Sequence, residues 1–137
     1  MKRILVTGSG GIGGVNFVRA LKIFQDEFFI VGTDFNKYYL QFADLDQRVI
    51  SPKHSDPNFI SLLNKLTEQH KIEFLHPQPS SEALVVSQNL DKISTKTLLP
   101  LSNIISNDKL ETQKTLLTSG IAVAKTKTIN DYDLIEN

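Results

Sequence analysis

The chain has 137 residues, 40% hydrophobic and 22% charged, and its 15 basic side chains are balanced by 15 acidic ones. That length suits one domain burying roughly two-thirds of its unfolded surface, and a zero net charge supplies no long-range field to draw nucleic acid or an acidic membrane. The absence of cysteine excludes disulfides, thiol catalysis and thiolate zinc sites.

Ile4–Thr7 reads as a short, fully buried first strand. Only Ile4, Leu5 and Val6 follow Lys2-Arg3 before glycine, far short of a secretory apolar region. No later segment is apolar enough to span a bilayer, so a cytoplasmic protein is expected. Five glycines then fall between Gly8 and Gly14. Gly13 to about Phe24 has helical spacing, with Val15, Val18 and Leu21 on one face. Phe28–Gly32 is a second strand ending at Thr33-Asp34, a short helix or turn is expected around Tyr38–Leu45, and Arg48–Ser51 is a third strand. Asp56-Pro57 reads as a helix start, an acidic cap with proline in the first turn. Phe59, Ile60, Leu62, Leu63 and Leu66 supply that helix's apolar face. Ile72–Leu75 is a fourth strand cut by His76-Pro77-Gln78-Pro79, with Ser80 or Ser81 as cap of a helix running toward Leu90. Thr97–Leu99 reads as a fifth strand. A last helix runs from about Asp108 to Thr118 and stops at Ser119-Gly120, and Ile121–Thr128 is expected to be extended.

Strands alternating with helices predict an α/β fold: a three-layer, Rossmann-like open parallel sheet of about five strands, in the order 3-2-1-4-5. The order reverses between the first and fourth strands, so the ligand crevice is expected where Gly8–Gly14 and His76–Glu82 diverge. Gly8-Ser9-Gly10-Gly11-Ile12-Gly13 follows a strand and precedes a helix, as an anion-binding glycine loop requires. Asp34 stands where a dinucleotide-binding domain places its ribose carboxylate, although an aspartate there equally caps its own turn. Glu82 opens a helix at the predicted crevice, where it either holds a substrate amine or hydroxyl or merely complements the helix dipole. His54, His70 and His76 lack metal-ligand spacing and read as loop or surface residues. None of Tyr38, Tyr39 and Tyr132 has a lysine four residues later, so the proton donor of short-chain dehydrogenases is missing.

Beyond these single motifs, the whole chain resembles the N-terminal, pre-ATP-grasp domain of the ATP-grasp superfamily, near the carbamoyl-phosphate-synthase-large-chain-like proteins. The likeness rests on Ile4–Gly14, Val31–Asn36, Phe74–Glu82 and above all on Leu99-Pro100-Leu101-Ser102, Ser106-Asn107-Asp108-Lys109 and Ser119–Thr126. Ser80 stands where relatives commonly carry an acid, and Ala122 and Ala124 lie near usual prolines. The resemblance implies a domain over 1–120, then the start of a connection, 121–137, toward an ATP-grasp domain in cis or on a separate chain. It implies ATP and Mg in the full-length protein, bound mostly by that other domain, and no catalytic residue here. Under this reading the cofactor-facing residues are Gly8, Ser9, Gly10, Gly11, Ile12, Gly13, Asp34 and, carried over from the family's Asp-Lys pair, Lys109. Gln78, Ser80, Ser81 and Glu82 face a small-molecule substrate. The full protein would be an ATP-dependent carboxylate–amine or carboxylate–thiol ligase, and a homodimer is left open. The alternatives are an NAD(P)-binding domain of a short-chain dehydrogenase or epimerase, and a stand-alone ligand-sensing module.

Overall fold

The computed structural model describes residues 1–24, 27–99 and 108–125. Four strands, β1 (Lys2–Thr7), β2 (Phe28–Asp34), β3 (Gln47–Ile50) and β4 (Phe74–Pro77), pair in the order β3-β2-β1-β4. Every pairing is parallel, with Leu5 opposite Val31 and Leu75, and Thr33 opposite Val49. This is the expected open α/β sheet, with the order reversing beside β1. Where a fifth strand was expected there is a single parallel bridge, Phe74 to Lys96, supported by Leu75 N–H donating to Lys96 O at 2.8 Å. Thr97–Leu99 adds no ladder of its own.

The two-residue period of the strands sorts the core into two layers. Ile4, Val6 and Ile30 meet Val18 of α1 (Ile12–Lys22) together with Leu40, Ala43 and Leu45 from the β2–β3 connection. On the opposite face Leu5, Val31 and Leu75 pack against Phe59, Leu63 and Leu66 of α2 (Phe59–His70) and Val86 of α3 (Ser80–Ser87). Each such side chain contributes roughly 1.5–3 kcal/mol on full burial, so these layers hold the strand ends, and the loops they carry, in fixed positions.

Several boundaries shift from the sequence expectation. Asp56 does not cap α2; its Oδ1 accepts Asn58 N–H at 2.8 Å in a turn, and the helix starts at Phe59. β4 runs through His76 and Pro77 instead of stopping at Leu75, because Pro77 closes the ladder opposite Thr7 at the strand's last position. His76 is therefore a strand residue, stacked on Phe17 with ring centroids 3.9 Å apart. Neither Ser80 nor Ser81 caps α3: extended Pro79 precedes the helix and no side chain caps it. Between β2 and β3 the regular element is one 3₁₀ turn, Tyr39–Gln41, and another, Leu90–Lys92, follows α3. The expectations on residues 100–107 and 126–137 lie outside the described residues.

The last helix, α4 (Lys109–Thr118), agrees with its reading. Asp108 Oδ1 accepts the N–H groups of Leu110 and Glu111 at 2.8 and 3.2 Å, and Gly120 ends the helix at φ 75°.

Candidate functional site

β1 delivers the chain into the glycine loop at the C-terminal edge of the sheet, beside the loop that leaves β4. The two loops meet, as the switch in strand order predicts. Gly8 has φ 55°, and a Cβ there would stand 2.5 Å from Pro79 Cδ. A Cβ at Gly13 would run into the Gln78 amide. Gln78 in turn takes a hydrogen bond on Oε1 from His76 Nε2 at 3.2 Å. Glycine is required here by close approach within the protein.

The first half of the loop is buried and internally bonded. Gly8, Ser9 and Gly10 are all buried; Ser9 donates to Thr33 O from both its N–H (3.0 Å) and its hydroxyl (3.2 Å). Asp34 is 4% exposed, with Oδ2 accepting from Gly10 N–H at 3.1 Å and Oδ1 from Asn36 N–H at 2.9 Å. Over Gly10 lies the main chain of Tyr39, whose carbonyl oxygen would stand 2.5 Å from a Cβ at that position. Arg48, unremarked in the sequence, secures the segment that carries Tyr39: its guanidinium donates to Leu40 O, Leu45 O and Ala43 O at 3.3, 3.1 and 2.8 Å. Among the loop residues, Gly11 is half-buried, and Ile12 and Gly13 are exposed. α1 begins there with no side-chain cap and no acid in its first turn, which leaves main-chain N–H groups toward solvent.

The β4–α3 side is different. Ser80 is exposed, Ser81 half-buried, and Glu82 only 4% exposed. Thr7, Thr33 and Glu82 are all buried, and Thr7 Oγ1, Thr33 Oγ1 and Glu82 Oε2 each lack a hydrogen-bond partner. The strand period puts Thr7 and Thr33 on the face of Leu5 and Val31, the face that α3 covers. Burial pushes the Glu82 carboxyl above its ordinary 4.5; the adjacent Thr7 hydroxyl opposes that rise, and the charge of Asp34 adds to it. Buried oxygens without partners are uncommon in native proteins and mark places where water or a ligand group completes the bonding. The alternation of strand residues was the one signal in the sequence that could have put Thr7 on the face that α3 covers, beside Glu82.

Gly10 lies beneath Tyr39 and Asp34 holds one main-chain donor on each oxygen, so a dinucleotide at this loop would need the Tyr39–Gln41 turn to move. For Mg, no group of three or more His, Cys, Asp or Glu side chains able to hold a metal occurs among the described residues. Lys109 is exposed in the first turn of α4, and among the described residues it pairs with no carboxylate. No described helix is long and apolar enough to cross a membrane.

No protein-family model and no curated protein sequence matches the chain. Solved structures do. Glycinamide-RNase-transformylase T from Mycobacterium tuberculosis superposes with a TM-score of 0.61 at 13% identity, covering 98% of this chain and 38% of its own. L-threonine dehydrogenase from Phytophthora infestans gives 0.51 at 14% identity, over 72% and 36%. dTDP-glucose 4,6-dehydratase from Bacillus anthracis, solved with NAD, gives 0.49 at 16%, over 71% and 37%. The chain thus spans less than two fifths of the length of each of these proteins. At such identities the first two show the fold alone, a Rossmann-like α/β sheet.

Proposed function

We propose that this chain is a non-catalytic, pre-ATP-grasp-type domain of an ATP-dependent carboxylate–amine or carboxylate–thiol ligase. In that role it forms part of the acceptor-substrate pocket and supports an ATP-grasp domain, in cis or on a separate chain, which binds ATP and Mg. The observation that carries the reading is the contrast at the crevice: Tyr39 covers Gly10 and main-chain donors engage both oxygens of Asp34, whereas buried Glu82 keeps an unpartnered oxygen. A carboxylate held in that state suits an amine or hydroxyl of a substrate entering past Gln78, Ser80 and Ser81. Lys109, in the first turn of α4, is the residue proposed to reach nucleotide phosphates. Calorimetric titration of the chain with NADH and NADPH tests the reading. No saturable heat is expected at millimolar cofactor, and micromolar binding of either overturns it.

One observation favours a second reading, binding of NAD(P) at the glycine loop: the loop follows β1 and opens an uncapped helix, as a pyrophosphate site would. It requires the Tyr39–Gln41 turn to lift from Gly10, and the same titration decides it.

A further inference from the structure

A cavity lies along α1, beside the glycine loop and apart from Glu82. We propose that it is a binding site for a small planar aromatic anion, an aromatic carboxylate in the simplest case. Ile12, Val15, Asn16 and Arg19 recur at spacings of three and four residues, so they form one stripe along the first turns of α1. Phe42, just after the Tyr39–Gln41 turn, makes the facing wall, and Gly10 closes one end. The space measures about 310 Å³, at the lower end of the roughly 300–1,000 Å³ typical of small-molecule sites.

Two features define the ligand's chemistry. Ile12 is 85% exposed and Phe42 65%, two large apolar side chains facing water across the same cavity. A flat ring between them removes apolar area from both and stacks on the phenyl face. The second feature is charge. Arg19 pairs with no carboxylate among the described residues, unlike Lys22 one turn on, which Asp46 holds at 3.0 Å. No acid is among the residues lining the cavity. A guanidinium at the rim takes a carboxylate in a bidentate pair and tolerates a ring beside its own plane, and Asn16 adds a donor next to it. The site shares Gly10 and Ile12 with the glycine loop but needs neither Glu82 nor a nucleotide, so its test does not depend on the ligase reading.

Amide-shift mapping of the isotope-labelled full chain with naphthoate tests the proposal. Saturable shifts centred on Gly10, Ile12, Val15, Asn16, Arg19 and Phe42 are expected. Arg19→Gln should weaken naphthoate roughly threefold to fivefold, the scale of an exposed ion pair. Neutral naphthamide should bind the unmodified chain and Arg19→Gln alike, and more weakly than naphthoate binds the unmodified chain. The double variant Ile12→Ser, Phe42→Ser should abolish the shifts, and the dispersion of its ligand-free spectrum reports whether it is folded. Shifts centred instead on Gln78–Glu82, shifts that never saturate, or equal affinity of the unmodified chain for naphthoate and naphthamide overturn the proposal; each is read on the unmodified chain, so the test holds even if the double variant does not fold.

Discussion

Asp34 and Glu82 are equally buried, each 4% exposed, at the ends of neighbouring loops on one edge of one sheet, yet their bonding is opposite. Asp34 spends both oxygens on main-chain N–H groups, at Gly10 and Asn36, and so ties the glycine loop to the end of β2. Glu82 Oε2 makes no hydrogen bond of normal geometry; the Thr7 hydroxyl beside it acts on the carboxyl only as a weak donor. Burial is therefore a poor guide to function at this edge. What separates the two carboxylates is that each Asp34 oxygen already holds a main-chain donor, whereas Glu82 Oε2 has none of normal geometry.

The strongest way to break this contrast is Asp34→Ala. It strands a buried main-chain donor at Gly10 and a half-buried one at Asn36, each costing about 1–3 kcal/mol, so a loss of about 4 kcal/mol is expected. Thermal unfolding followed by circular dichroism should show Tm lower by roughly 14 °C. An unchanged Tm would mean that the loop holds itself without the carboxylate. Gly8→Ala comes next, at about 3 kcal/mol, because it combines a left-handed backbone with a methyl driven onto the Pro79 ring. Gly120→Ala is its control. Gly120 has φ 75° but nothing within 4 Å of a new Cβ, so about 1 kcal/mol is expected there. The gap between the two, measured by urea unfolding, isolates the contact between the two loops from backbone strain.

Much of this arrangement is legible in the amino-acid sequence. The apolar run Ile4–Thr7, the glycines after it, the Asp108 cap and the Gly120 stop each follow from local chemistry, and the meeting of the two loops follows from a sheet whose strand order reverses beside β1. The turn reading weighed for Asp34 also has its counterpart in the bond from Asn36 N–H. Illegible are the features made by approach across the sheet: Tyr39 over Gly10, Gln78 against Gly13, and Arg48 holding three carbonyls of the β2–β3 connection. Pro77 misleads because proline reads as a strand breaker, whereas at a ladder's last position its missing N–H costs nothing. The serines at 80 and 81 mislead because they suggest capping by a side chain where extended Pro79 already sets the helix entry.

The smaller predictions concern Glu82 and carry the opposite sign. Glu82→Met replaces an incompletely bonded buried carboxyl with an apolar side chain of similar length, and should stabilise the chain by roughly 1 kcal/mol near neutral pH. In urea unfolding the midpoint rises; a fall comparable to that of Asp34→Ala would mean that Glu82 has a partner and the contrast is void. The pH dependence then supplies the finest test. Burial raises the folded-state value of Glu82 above its ordinary 4.5, so the native chain holds that proton more tightly than the unfolded one. Its contribution to stability is complete below the ordinary value and is lost as pH rises through the raised one. Unfolding free energies measured upward from pH 4.5 should therefore decline in a step that Glu82→Met removes. Subtracting one curve from the other removes the carboxylates that do not interact with Glu82 and leaves the titration of Glu82, coupled to the charge of Asp34.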